Sequence, residues 1–241
     1  MKTKTKTEKF KTKDYLVIIL CILIPAIIGF VTGDLIIGGS LLITGLLGSY
    51  FAGNGKRINY LFGFINALLI AYVAYENNLF GSFFVNTVIF TPLEIYGFLS
   101  WSKNLDKNKN VKARKFTLKK ALIITSSCIL GSIIFGYILS LIPGQNLAFA
   151  DSTMCCLDIS ALILMNLRYK EAWWIWVVSG ALAVAVWIDT LIGGGANALM
   201  RLIAAIGFLA INIYGAIKWN IMTETKKTLE LTSRRFAIWF A

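Results

Sequence analysis

Ile95-Tyr96-Gly97-Phe98-Leu99-Ser100-Trp101 and Ile213-Tyr214-Gly215-Ala216-Ile217-Lys218-Trp219 share a pattern that organises the whole chain. Each closes a long apolar run at a boundary rich in Lys and Arg. An isolated Gly-x-x-x-Trp carries little information in apolar sequence. Four matching residues at the same place in two runs indicate an internal repeat. Glu94 stands just before the first copy, where Asn212 stands before the second.

Working outward from these two stretches, the chain reads as a series of membrane-crossing helices. It has 241 residues, of which 57% are apolar, and its mean hydropathy is +0.71. A soluble domain is nearer ~45–50% apolar, and a helix needs about 20 apolar residues to cross a bilayer. The spans fall at roughly 15–31, 35–52, 59–75, 79–101, 118–142, 147–167, 172–189 and 196–219. Turn or polar residues separate them, among them Gly33-Asp34, Glu76-Asn77-Asn78, Pro143-Gly144-Gln145-Asn146 and Gly193-Gly194-Gly195. The expected fold class is thus an all-α integral membrane protein with about eight transmembrane helices. The first run, after the basic start, reads as an uncleaved accessory helix, because no convincing small-x-small cleavage site follows it.

The net charge of +12 does not point to nucleic acid, because the charges lie between apolar runs. They fit a topological role, in which Lys and Arg hold loops in the cytoplasm. With both termini cytoplasmic, the tail with Lys2 to Lys13, loops 53–58, 102–117 and 168–171, and the residues after Trp219 all face inward. Asp34, Glu76 and Asp189 fall on the outside, and Arg201 is the lone basic residue there. No basic residue is expected at the depth of the buried carboxylates.

Parity then organises the spans. Spans two to four and six to eight form two groups of three, and two odd groups joined directly would face opposite ways. Span five is an extra crossing that restores a common orientation, as the matched endings require. The expected architecture is one accessory helix plus a 3+1+3 bundle of two parallel triplets. The corresponding segments are 1–34 (tail and accessory helix), 35–101 (first repeat), 102–146 (basic loop and linker helix), 147–220 (second repeat) and 221–241 (cytoplasmic tail). Parallel repeats of this kind place a substrate site near the bilayer midplane, between them.

Ionisable and amide groups within the spans are the site candidates. Glu94 lies near the inner end of span four, and Asp158 midway along span six with Asp151 further out. Each carboxylate either faces a polar cavity or acts as a neutral acid in a helix–helix hydrogen bond. Asn66, Asn86 and Asn212 offer the donors and acceptor suited to hydroxyls or a carboxamide. Read structurally, they are interhelical glue worth about 0.6–2 kcal/mol. Trp173 and Trp176 share one helix face, where two indoles can receive a flat cationic ring, or can belong to the interfacial aromatic belt. The belt also accounts for Trp101 and Trp219. Trp187 and Tyr72 are weaker candidates.

Other chemistry is excluded by what is missing. The chain has no His and no Gly-x-x-x-x-Gly-Lys-[Ser/Thr] loop, so the usual general base and phosphate cradle are absent. Cys21, Cys128, Cys155 and Cys156 lie in apolar runs without metal-ligand spacing. No cofactor and no metal are expected, and a membrane enzyme or sensor is the less favoured class.

The Trp173-x-x-Trp176 pair after a basic loop, together with the two Tyr-Gly-x-x-x-Trp endings, resembles the PnuC family of vitamin transporters over roughly residues 35–220. That resemblance implies a fold related to the sugar-transporting SWEET proteins and one central site between the triplets. It also implies uptake of nicotinamide riboside by facilitated diffusion, trapping by intracellular phosphorylation, residence in a bacterial inner membrane, and a homotrimer. Trp173, Trp176 and Asn212 occupy the family's site positions, whereas Glu94 departs from the amide expected there. Thiamine is the alternative cargo, since it also carries a permanent positive charge; neutral, bulkier riboflavin ranks third.

Overall fold

The computed structural model describes residues 12–106, 110–194 and 198–239, with side chains as far as Glu224. Lys2 to Lys11, Lys107, Lys109, Gly195 and Asn197 lie outside the described residues. Among the described residues, eight helices follow one another once two π-helical turns are joined to the helices they continue into. These are α1 (Thr12–Thr32), α2 (Leu35–Gly53), α3 (Asn59–Glu76), α4 (Phe80–Ser102), α5 (Leu118–Ser140), α6 (Ala148–Asn166), α7 (Ala172–Ile192) and α8 (Ala198–Trp239). Helices are the expected answer in lipid, because each satisfies its backbone hydrogen bonds within itself. Seven are long and apolar enough to cross a membrane. The exception, α3, is diluted by Asn59, Asn66, three tyrosines and Glu76. Its polar content has a reason given below, since one face of it lines a cavity.

The observed boundaries follow the sequence reading closely except at the end of the chain. There α8 continues as one helix of 42 residues to Trp239, through the expected tail boundary at 220. Its span-like part is Arg201–Glu224. At 1.5 Å per residue the whole helix is about 60 Å long, twice a bilayer core of ~30 Å, so its last part projects beyond it.

Helix contacts describe a ring. α2 packs on α3 and α3 on α4; α6 packs on α7 and α7 on α8. Two further seams close the circle, α2 against α8 and α4 against α6. α1 lies against α2, and α5 against α6. α4 carries the π-helical stretch Val85–Phe90 just before Pro92, whose missing N–H interrupts the regular ladder. α2 begins with a similar π-helical turn, Leu35–Gly39.

The described part of the basic loop after α4, residues 110–117, forms a strap. Val111 N–H donates to Gly55 O at 2.9 Å and Arg114 N–H to Arg168 O at 2.7 Å. The strap therefore ties the α2–α3 turn to the α6–α7 turn. These two turns match in conformation, with φ +68° at Gly55 and +70° at Arg168. Arg168 holds a left-handed backbone that is costly for a non-glycine residue.

Candidate functional site

At the basic end, each seam is closed by one of the repeated tryptophans. Trp101 Nε1–H donates to Met165 O at 2.9 Å, and Trp219 Nε1–H donates to Ala52 O at 3.1 Å. Both indoles are 0% exposed, with ring centroids 5.7 Å apart. They are not members of an aromatic belt, as the sequence suggested. An interfacial tryptophan keeps its N–H in water, whereas these donate theirs to backbone carbonyls of α6 and α2. The repeated glycines make this approach possible. A Cβ on Gly97 would fall 2.1 Å from the Tyr60 ring, and one on Gly215 would fall 2.3 Å from the Trp173 ring.

The closed end forms the floor of a cavity of about 320 Å³, within the ~300–1,000 Å³ of small-molecule sites. Its walls come from α2, α3, α4, α6, α7 and α8. Of the expected residues, Asn66, Asn86, Glu94, Asp158, Trp176 and Asn212 line it. Trp173 and Tyr72 do not. Trp173 is 0% exposed in the core beneath the floor, edge-on to Trp176 at 5.7 Å. Sharing a helix face thus did not make the two indoles one stacking surface, because the lower one packs against Trp219. Tyr72 is 51% exposed on the outer surface of α3.

The amides are half committed to structure. Asn66 Nδ2 donates to Leu41 O at 2.8 Å and to Thr44 Oγ1 at 3.0 Å. Asn86 Nδ2 donates to Ser82 O at 2.8 Å, and its buried Oδ1 has no protein partner. Asn212 Nδ2 reaches the Trp176 carbonyl at 3.3 Å. So the glue role is real, and it orients side chains that still face the cavity.

The carboxylates differ. Glu94, 8% exposed, lies over Gly63, where a Cβ would fall 2.5 Å from its Oε2. Among the described residues it has no hydrogen bond or ion pair. Asp158 has the Ser179 hydroxyl beside it. Asp151 is not part of the cavity wall. It accepts from the Ser82 hydroxyl, from Ser82 N at 3.3 Å and from Gln145 Nε2 at 3.2 Å, tying the acidic ends of α4 and α6 together.

Two lining residues escaped the sequence reading. Arg201, which the sequence marks only as the lone basic residue on the outer side, is 7% exposed in the cavity wall. The available signal was its isolation as the one basic residue at the acidic end. Gly63 was unreadable, because its role is to leave room for Glu94. Beyond Leu79 and Trp187 the cavity meets a second one of about 420 Å³, whose lining includes Glu76, Asn77, Asn146 and Asp189.

The profile of the nicotinamide mononucleotide transporter family matches residues 35–221, a stretch that covers the ring of six helices and the strap. The chain belongs to the PnuC family. The nicotinamide riboside transporter PnuC of Neisseria mucosa is 30% identical over 187 residues, which cover 76% of this chain and 71% of that one. The PnuC of Haemophilus influenzae is 28% identical over 187 residues, 76% of this chain and 78% of the other. A crystal structure of the vitamin B3 transporter PnuC matches with a TM-score of 0.79 at 27% identity, covering 90% of this chain and 94% of that one. PnuC proteins are transporters, so the chain is a multi-pass membrane transporter and not an enzyme or sensor.

Proposed function

We propose that this PnuC protein takes up nicotinamide riboside through the cavity between α2–α4 and α6–α8. The observation that carries this reading is Glu94, a carboxylate without a hydrogen bond or ion pair among the described residues, lining the same cavity as the Trp176 indole. A permanent pyridinium charge suits both, since a π-face attracts a cation and an intramembrane carboxylate needs one. Asn66, Asn86, Asn212 and Asp158 offer acceptors for ribose hydroxyls and the carboxamide. The acidic outer vestibule favours approach of a cation. Trp173 acts from behind, by seating Trp176.

The mechanism we infer is facilitated diffusion by alternating access within a 3+1+3 bundle. Reciprocal seams support it: each triplet's last helix meets the other's first, with the same tryptophan-to-carbonyl bond at each. α5 is then the linking helix and α1 the accessory one. Breaking the tryptophan bonds opens the basic end, while the ties at Asp151 hold the other. Clustering of Lys56, Arg57, Lys103, Arg114 and Lys170 at one end supports cytoplasmic termini in a bacterial inner membrane. A homotrimer is the assembly expected of the family, and a mass measurement in detergent tests it.

Saturable, unenergised uptake of labelled nicotinamide riboside into proteoliposomes is the expected result. Uptake of thiamine instead would overturn the cargo while leaving the mechanism.

A further inference from the structure

The charges of the cavity raise a question of discrimination. Nicotinamide riboside and its 5′-phosphate differ by a phosphoryl group carrying about −1.5 to −2 charges at neutral pH. Such a group is held by guanidinium groups, which bind it through paired N–H donors. Among the described lining residues Arg201 is the one basic side chain, near the outer end of the cavity. Its Nε is buried with no hydrogen-bond partner. Arg201 is therefore the one charge of attracting sign in that lining for an anion entering from the acidic end.

Arg201 is also already partnered. Its Nη2 lies 4.0 Å from Asp34 Oδ2. Asp34 does not line the cavity but stands behind Arg201, at the start of α2. It is gripped there, because its Oδ1 accepts from Gly38 N at 2.8 Å across the π-helical turn. A side chain on Gly38 would run into the same carboxylate, its Cβ 2.3 Å from Oδ2. The turn therefore holds a fixed negative charge against the guanidinium from the side away from the substrate.

We propose that Asp34 is a specificity-determining residue that makes the carrier reject phosphorylated cargo. It acts through Arg201: with its charge compensated from behind, the guanidinium binds hydroxyls and not a dianion. Glu94 and Asp158 deeper in the cavity then repel the phosphoryl group with nothing to offset them. This inference rests on the riboside reading of the site.

Calorimetry on the full-length protein in detergent tests it, with nicotinamide riboside and nicotinamide mononucleotide as probes. Asp34→Asn keeps an acceptor for Gly38 N–H and removes the charge. It is expected to retain riboside affinity within about threefold and to gain mononucleotide affinity by at least ~tenfold. The gain is expected to vanish in Asp34→Asn/Arg201→Gln, and Asp34→Glu is expected to keep the wild-type preference. Should Asp34→Asn not yield folded protein, Asp34→Ser, which also keeps an acceptor, is expected to show the same gain. Riboside binding without any mononucleotide gain would overturn the proposal, as would a gain that persists without Arg201. If wild type binds thiamine and not riboside, the cargo reading fails alone, and thiamine against its monophosphate puts the same question to Asp34.

Discussion

The triplets α2–α4 and α6–α8 agree at one end and disagree in the middle. At the basic end Trp101 corresponds to Trp219, Gly97 to Gly215, and Gly55 to Arg168 with the same backbone conformation. Tyr60 and Trp173 hold matching places, each with its ring against the glycine of its own triplet's last helix. Along the cavity the same register pairs Glu94 with Asn212, Gly63 with Trp176, and Gly45 with Asp158. One triplet offers a carboxylate over a glycine, the other an amide bonded to the carbonyl of a tryptophan. Symmetry is kept where the two groups of helices hold each other, through the same tryptophan-to-carbonyl bond at each seam. It is lost where an unsymmetrical small molecule must be read.

The largest effect is expected where the disagreement is greatest. Trp176→Ala removes an indole from the cavity that Glu94 also lines and is expected to weaken riboside binding by about 2–4 kcal/mol, as for a buried aromatic anchor. Trp174→Ala and Tyr72→Ala, whose side chains are exposed on the outer surface, are expected to change it by less than about 0.5 kcal/mol. Equal losses for Trp176 and Trp174 by calorimetry would put the site elsewhere. Next come the repeated glycines. Gly97→Ala and Gly215→Ala each drive a Cβ into a ring that is buried and cannot swing away, at about 1–3 kcal/mol of overpacking. Thermal unfolding in detergent should show both, and a tolerant Gly215 would mean that the two ends are less alike than their contacts indicate.

How legible this was depends on what each residue answers to. Helix limits were readable because lipid demands long apolar runs, and polar turns end them; α8 overran because nothing after Trp219 breaks a helix. The two tryptophan endings were readable as a repeat but not as a seam. In a soluble protein an apolar residue's burial can be inferred from its periodicity, whereas in a membrane the lipid face and the core are equally apolar, so Trp101 pointing inward left no mark. Trp173 and Trp176 illustrate the same limit, since spacing gave a shared face and only packing separated core from cavity. Asn66, Asn86, Glu94, Asp158 and Asn212 were found because polarity in lipid needs a reason. Arg201 stands out in the sequence only as the lone basic residue on the outer side, for depth at a helix start is not written there.

Glu94→Gln sharpens the contrast from the other side, by giving the first triplet an amide like that of the second. The variant keeps size and hydrogen-bonding capacity and removes the charge. If the carboxylate faces a cationic ring, affinity for riboside is expected to fall by about tenfold, or ~1.4 kcal/mol, while a neutral analogue lacking the pyridinium charge is unaffected. Unchanged binding of both would show that Glu94 serves packing over Gly63 and not recognition.

The smallest effect concerns the seams, where agreement is expected. Trp101→Phe takes the indole donor from the Met165 carbonyl, which keeps the Arg168 N–H, and Trp219→Phe takes it from that of Ala52, which keeps the Gly55 N–H. Each is expected to cost about 1 kcal/mol, the net worth of one hydrogen bond, and the two should match because the geometry does. The rings also touch each other, so the double variant should fall short of or exceed the sum by about 0.5–1.5 kcal/mol, whereas distant sites would add. Transport discriminates further. If these bonds close the basic end, either substitution favours its opening, and both should shift accessibility of a cysteine placed on the cavity floor in the same direction. A shift from one tryptophan alone would mean that one seam moves while the other serves as the hinge.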